Sequence, residues 1–133
     1  MACPGKKIIR SEKAPAPIGP YTIANTGGPF VFTAGQLGLE PATGTLVEGG
    51  IEAETRQALE NLKTILLAAN SCLENVVKTT VFLRDISDFA RMNAIYAEYF
   101  TSDCPARSAI QVAALPKNAE VEIEAIALIG SYE

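Results

Sequence analysis

The sequence predicts an α+β fold in which two helices lie on one face of a mixed, six-stranded sheet. Two segments carry apolar residues at helical spacing, and six shorter segments are rich in β-branched or aromatic residues. Their order, β-β-β-α-β-α-β-β, fits a single domain over residues 1–133. Several strands are apolar on both faces, and two helices can cover only one of these faces. We therefore expect a homo-oligomer in which the sheets of neighbouring copies pack together.

The first three strands lie at the beginning of the chain. Residues 8–10 form a short strand, after which a proline-rich segment holds the chain extended. Residues 21–25 and 30–34 are predicted to pair as a hairpin about a turn at residues 27–29. The Gly-Gln-Leu-Gly segment at residues 35–38 is predicted to be a loop that leaves the sheet.

Two helices and three further strands fill the rest of the chain. The first helix covers residues 51–69, where apolar side chains recur at helical spacing. The second helix follows residue 88, carries an apolar stripe that begins at Phe89, and ends before Pro105. The remaining predicted strands are residues 76–83, 105–112 and 120–128, the last two being joined by a turn at residues 116–118.

Composition excludes several kinds of functional site. The chain has no histidine, so it has no Ser-His-Asp or Cys-His catalytic system and no imidazole metal ligand. Any catalysis must use carboxylates, Tyr, Lys, Arg or backbone groups, and we expect no metal ion. A net charge of −4 and a pI near 4.9 argue against a surface that binds nucleic acid.

The sequence also predicts a cytoplasmic location. The three cysteines, Cys3, Cys72 and Cys104, are scattered and form no C-x-x-C pair, which is typical of a reducing compartment. No apolar stretch approaches the roughly 20 residues that a membrane-spanning helix needs, and the N-terminus has no apolar signal region. For a eukaryotic chain, the mitochondrial matrix is the alternative.

Two charged residues in apolar strands are the first candidates for a functional site. Arg107 enters one strand, and Glu122 lies in another strand fifteen residues later. If the intervening turn makes a hairpin, both side chains share a face, although another turn length places Glu120 or Glu124 opposite Arg107. From the spacing alone, an Arg–Glu ion pair that fixes the sheet is the simpler interpretation. The functional interpretation is an arginine that binds a carboxylate beside a glutamate that handles a proton.

Three more residues have both a structural and a functional interpretation. Asn93 shares the apolar face of the second helix, where its amide needs a partner either in the sheet or in a pocket. Tyr21 directly follows the proline-rich segment, so it is either an ordinary half-buried tyrosine or a hydroxyl offered to a ligand. Gly35 follows a strand and is either a plain turn residue or a place where a ligand approaches the backbone closely.

Several short segments between about residue 8 and residue 130 carry a further signal. They are Ala-Pro-Ile-Gly-Pro-Tyr at 16–21, Ala-Gly-Gln-Leu-Gly at 34–38, Thr-Gly-Thr-Leu-Val-Glu-Gly-Gly at 43–50, Val-Val-Lys-Thr-Thr-Val at 76–81, Pro-Ala-Arg-Ser at 105–108, Leu-Pro-Lys at 115–117 and Val-Glu-Ile-Glu-Ala at 121–125. Each segment is modest, whereas their joint order and spacing are specific. Together they resemble the reactive intermediate deaminase family, also called the RidA or YjgF family.

The resemblance implies a chorismate-mutase-like fold and a homotrimer with clefts between subunits. It implies hydrolysis of 2-imino acids, such as 2-iminopropanoate and 2-iminobutanoate, and of their enamine tautomers to 2-oxo acids and ammonia. No metal or organic cofactor is implied, and neither a membrane nor a nucleic-acid partner is expected. Two other functions stay open: a non-catalytic protein that binds a 2-oxo acid and regulates a partner, and an endoribonuclease that inhibits translation.

The resemblance also assigns roles to individual residues. Arg107 corresponds to the family's carboxylate-binding arginine, and Glu122 to its water-orienting glutamate. Ala34 and Ala109 depart from the family pattern, since many members carry Ser at the first position and some carry Cys at the second, and this leaves the substrate preference open. The remaining substrate-binding positions are Tyr21 (cleft tyrosine), Gly35 (backbone contact), Phe89 (aromatic lining) and Asn93 (helix asparagine).

Overall fold

The computed structural model describes residues 5–130, which form seven strands and two helices. The α+β class and the two helices are confirmed, and Cys3 lies outside the described residues. The elements are β1 (Ile8–Ile9), β2 (Ala24–Gly27), β3 (Phe30–Thr33), β4 (Gln36–Leu37), α1 (Gly50–Ala68), β5 (Val76–Leu83), α2 (Phe89–Tyr99), β6 (Ala106–Gln111) and β7 (Val121–Leu128). The predicted count of six strands is wrong by one, because the segment predicted as a loop at residues 35–38 contains β4.

The strand order across the sheet is β1-β2-β3-β7-β5-β6, and β4 pairs with the beginning of β7. Strands β5 and β6 are parallel, whereas the other pairs are antiparallel. The predicted hairpin between the Arg107 strand and the Glu122 strand is therefore wrong, since β5 lies between them. Strand β7 occupies the centre and has one fully buried apolar face and one half-buried face, whereas β6 alternates between half-buried and exposed residues and suits an edge.

The main hydrophobic core lies between one face of the sheet and the two helices. Alternate residues of β7, beginning with Val121, are at most 3% exposed. They pack in one cluster with the buried leucines and isoleucines of α1 and with Met92 and Tyr96 of α2. Full burial of a Leu or Ile side chain contributes about 1.5–3 kcal/mol, so this layer is the principal stabilising feature of the fold.

The opposite face of the sheet is not covered by any element between residues 5 and 130, and it combines apolar side chains with polar ones such as Lys78 and Glu124. Its most exposed apolar side chains are Phe32, at 42%, and Ile110, at 48%. Phe32 is in register with Ile126 of β7, which is only half-buried. Apolar side chains are thus present on the uncovered face of the sheet, and their burial by other copies of the chain stays a prediction.

A β-bulge separates β3 from β4. Phe32 pairs with Ile126 and Gln36 pairs with Ile123, so this side of the ladder advances four residues while β7 advances three. The hydroxyl of Thr33 accepts the N–H of Ala125 at 3.0 Å and so replaces a missing ladder bond. The extra residue places Gln36 on the helix-covered face and turns Leu37 to the same face as its register partner, residue 122.

Candidate active site

One cleft in the surface contains three of the residues that the sequence singled out. It has a volume of about 290 Å³ and is lined by Tyr21, Gly35 and Glu122 together with mostly apolar neighbours such as Leu37 and Leu39. The proline-rich segment, the bulge and the start of β7 form its walls. Tyr21 is 47% exposed, and its hydroxyl accepts the N–H of Ile18 at 3.3 Å. An apolar cleft with a few polar groups is the usual form of a small-molecule site.

Gly35 lies directly against the carboxylate of Glu122. A Cβ atom on Gly35 would be 2.5 Å from Glu122 Oε1, which is far inside van der Waals contact. No side chain fits at this position unless the carboxylate moves. The bulge therefore brings a bare stretch of backbone against the glutamate, and a small ligand in the cleft can approach both groups at once.

The surroundings of Glu122 favour its protonated form. Burial raises the pKa of its carboxyl group, and the neighbouring charge of Glu124 raises it further. Among residues 5–130, neither an arginine nor a lysine forms an ion pair with Glu122. A carboxylate whose pKa is moved toward neutrality is better suited to accept a proton from water.

Arg107 is held by side chains of helix α2 and not by an acid. Its Nη1 donates to Asn93 Oδ1 at 2.6 Å. Its Cζ atom lies 5.3 Å from the ring centre of Phe89 and 4.8 Å from that of Tyr96. Among the described residues, no carboxylate oxygen lies within 4.0 Å of the guanidinium. The predicted ion pair between Arg107 and a strand glutamate is therefore absent from residues 5–130, and the guanidinium keeps N–H donors for the carboxylate of a ligand.

Tyr96 and Thr79 support the arginine, and the sequence did not single them out as site residues. The two hydroxyls are 2.7 Å apart, and Thr79 is completely buried directly opposite Arg107 in the β5–β6 ladder. Burial raises the pKa of Tyr96, so its ring stays neutral beneath the guanidinium. The available signal was spacing, because Phe89, Asn93 and Tyr96 recur on one face of α2.

The structure brings the predicted site residues together in two groups and not in one. Tyr21, Gly35 and Glu122 share the cleft, whereas Phe89, Asn93 and Arg107 share the helix-covered side of β6. Arg107 is in register with Thr79 and through it with Ala125, which faces the helices; Glu122 points to the other face. Because side chains alternate along a strand, the two groups lie on opposite faces of the sheet.

Three further observations concern metals, membranes and cysteines. Between residues 5 and 130, no group of Cys, Asp or Glu side chains is placed to hold a metal ion. No helix in that part of the chain is long and apolar enough to cross a bilayer. Cys72 and Cys104 are both free thiols.

Known proteins are similar to this chain in sequence and in fold. The profile of the family called Endoribonuclease L-PSP matches residues 11–129. The 2-iminobutanoate/2-iminopropanoate deaminase of Bos taurus is 54% identical over 125 residues, which cover 94% of this chain and 91% of the bovine protein.

Two solved structures superpose on nearly the whole molecule. RidA from the Antarctic bacterium Psychrobacter sp. PAMC 21119 is 46% identical with a TM-score of 0.89, covering 92% of this chain and 99% of that one. TdcF of E. coli, solved with bound serine, is 42% identical with a TM-score of 0.87, covering 92% of this chain and 98% of that one.

Proposed function

Because this chain belongs to the Endoribonuclease L-PSP family, which includes the reactive intermediate deaminases, we propose that it hydrolyses 2-imino acids to 2-oxo acids and ammonia. The substrates are 2-iminopropanoate, 2-iminobutanoate and their enamine tautomers, in keeping with the name of the bovine relative. The observation that carries the proposal is Arg107, a guanidinium fixed by Asn93 and aromatic rings with no carboxylate partner in the described chain. Such a fork suits the carboxylate of a small acid.

In this proposal the cleft is completed by a second copy of the chain. Arg107 and Glu122 of one chain point to opposite faces of its sheet, so the arginine that serves a given Glu122 comes from a neighbour. The exposed apolar side chains of the uncovered face, which include Phe32 and Ile110, supply a surface for that packing. Three copies arranged about an axis give three equivalent clefts, in agreement with the homotrimer that the sequence resemblance implies.

The proposed reaction begins with the binding of the substrate carboxylate. Arg107 holds it in bidentate fashion, the backbone at Gly35 assists, and the C2=N group is thereby fixed beside Glu122. Tyr21 and Phe89 line the substrate, and Asn93 orients the arginine. Because Asn93 Oδ1 accepts from Nη1, that nitrogen is turned toward α2 and the rest of the fork is left for the substrate.

Glu122 carries the proton transfers in the proposal. Its carboxylate takes a proton from a water molecule as the water oxygen attacks C2 and gives this proton to the imine nitrogen, which yields a neutral carbinolamine. The carboxylate then takes the proton of the new hydroxyl group and passes it to the amino nitrogen, so the C–N bond breaks, the C=O bond of the 2-oxo acid forms and ammonia leaves. A positioned base of this kind contributes about 10²–10⁴-fold to the rate, and a modest enhancement suffices because the imine also hydrolyses unaided.

The first test is whether the protein accelerates the loss of an imine. When 2-iminopropanoate is generated in solution and its decay is followed, we expect the rate to rise in proportion to protein concentration above the spontaneous rate. Heat-denatured protein is the control. A decay rate that does not change with protein concentration contradicts the proposal.

A second function, binding without catalysis, is favoured by one comparison. The related TdcF of E. coli was solved with bound serine, so a protein of this fold binds a small amino acid. In that case the chain binds a 2-oxo acid and does not accelerate imine decay. The family name also suggests a third activity, the cleavage of RNA. The net charge of −4 disfavours contact with RNA phosphates and so counts against it.

The pH profile of the reaction tests the role of Glu122. Only its ionised form accepts a proton, so kcat/KM should fall as pH falls through its pKa, which burial and Glu124 raise above the ordinary value for glutamate. Glu124→Gln removes the neighbouring charge, lowers the pKa of Glu122, and should move the ascending limb of the profile to lower pH. Steady-state rates corrected for spontaneous hydrolysis measure the limb.

Glu98→Gln is the matched control for that shift. Glu98 is exposed on α2 and forms an ion pair with Arg56, away from the cleft. Its substitution should leave the limb unchanged. An identical limb in the native protein and in Glu124→Gln would contradict the assignment of the base.

A further inference from the structure

Helix α1 carries a row of polar side chains that point into the protein. Glu54, Gln57 and Asn61 follow one another at spacings of three and four residues, so they lie on one face of the helix. Glu54 is 6% exposed and Asn61 is 1% exposed, whereas the rest of the buried face of α1 is almost entirely apolar. Burial of polar groups is unfavourable unless they form hydrogen bonds, so their partners indicate what the row holds in place.

The partners of this polar row belong to the two segments that build the Glu122 cleft. Asn61 Nδ2 donates to Leu37 O at 3.2 Å and to Leu39 O at 2.9 Å. Asn61 Oδ1 accepts from Gln57 Nε2 at 2.9 Å, which fixes the orientation of the amide. One helical residue thus binds both ends of the segment 37–39, and both of its amide hydrogens are used.

The same segment lies directly on the backbone of α1. A Cβ atom on Gly38 would be 2.7 Å from both Cα and O of Glu54, so the strand and the helix are in close contact there. The carboxylate of Glu54 accepts the N–H of Glu120 at 2.9 Å, immediately before β7 begins. Leu37 in turn pairs with Glu122 in the β4–β7 ladder. The polar row therefore fixes both strands on which Gly35 and Glu122 depend.

We infer that Asn61 is a positioning residue for imine hydrolysis, acting through β4 on the placement of Gly35 beside Glu122. Its side chain is not part of the cleft lining, so it acts through the segment it binds. The inference rests on the proposed function. A buried amide that only stabilised the helix could form its hydrogen bonds with any group along α1. Asn61 instead donates both of its amide hydrogens to carbonyl groups of residues that line the cleft.

The expected effect is on turnover more than on binding. Asn61→Leu removes both bonds to the segment 37–39, and a displacement of the Glu122 side of the cleft should lower kcat by about 10- to 100-fold. KM should change less than kcat, because Arg107, which is the main ligand of the substrate carboxylate in the proposal, is not touched and only the Gly35 contact is affected. A second variant, Gln57→Leu, leaves the two Asn61 bonds to the segment 37–39 possible but removes the bond that orients the amide, and a smaller loss of kcat is expected.

Ile65→Ala is the matched control for loss of stability. Ile65 is a completely buried residue of α1 that packs in the main core and does not line the cleft. This variant should lower Tm without lowering kcat at temperatures where it is folded. If Asn61→Leu and Gln57→Leu both keep native kcat, or lose no more than Ile65→Ala, the inference is overturned.

Hydrogen exchange separates a failure of this inference from a failure of the proposed function. In Asn61→Leu, or in Gln57→Leu if that variant alone folds, amides of residues 35–39 should exchange faster than in the native protein and in Ile65→Ala. If the native protein does not accelerate imine decay, the proposed function has failed, and faster exchange still supports the control of β4 by Asn61. Unchanged exchange at residues 35–39 overturns that control whatever the activity.

Discussion

Replacing Arg107 with alanine should reduce kcat/KM for 2-iminopropanoate by about 10²–10⁴-fold, because two charge-assisted hydrogen bonds to the substrate carboxylate are lost. The remaining decay should approach the spontaneous rate. Arg107→Lys keeps the charge but not the planar fork, so its activity should lie between those of the alanine variant and the native protein. Steady-state kinetics with subtraction of the spontaneous rate measure both changes.

Arg56→Ala is the matched control for that experiment. Arg56 is an exposed arginine that forms an ion pair with Glu98 on the outer surface of the helices. Loss of such a pair has little effect on stability or on the cleft. A folded Arg107→Ala protein with a rate close to that of Arg56→Ala would remove the arginine from the mechanism.

Mixing two inactive variants should restore activity. Arg107→Ala subunits keep Glu122, and Glu122→Gln subunits keep Arg107, so a cleft between two different subunits can contain both native groups. When equal amounts are refolded together, random assembly gives an intact pair in about one quarter of the clefts, because each cleft draws one group from each neighbour. The rate of the mixture relative to the native protein measures this fraction.

The control for mixing is a chain that carries both substitutions. Refolded with Arg107→Ala, it can form no intact pair, so no activity should return. Analytical ultracentrifugation of the same mixtures reports whether they assemble. If the first mixture assembles into trimers and stays inactive, the cleft does not combine Arg107 of one copy with Glu122 of another.

Much of the architecture followed from local patterns in the sequence. Residues 51–69 were predicted as the first helix, and α1 spans Gly50–Ala68. Strand β5 was predicted at its observed bounds, Val76–Leu83, because β-branched residues are concentrated there. Strand β4 was missed because two residues between glycines have no detectable period. It forms only because β7 offers an edge beyond the bulge, which is a tertiary effect.

The pairing of distant strands was the part that local patterns could not supply. Nearness along the chain suggested a hairpin between the strands of Arg107 and Glu122, whereas β6 returns through a helical crossover and pairs in parallel with β5. The residues of the candidate site were recognised one at a time, but their division into two groups required the register. The structural interpretation of Asn93 is confirmed, since its hydrogen bond to Arg107 joins the helix to the sheet, whereas its place in a substrate pocket stays a prediction.

The bulge between β3 and β4 interrupts the regular pairing with β7, and it also brings the backbone of Gly35 against Glu122. If regular pairing continued from Phe32 without the bulge, every rung of the ladder would form, but Gln36 would lie opposite Glu122 and the alternation that follows would be reversed. Leu37 would turn into the interior, Gln36 would replace it on the opposite face, and no bare backbone would meet Glu122. A variant in which this strand is straightened to raise its thermal stability would lose the close approach of the Gly35 backbone to Glu122. Searches for more stable variants should therefore leave residues 33–35 unchanged.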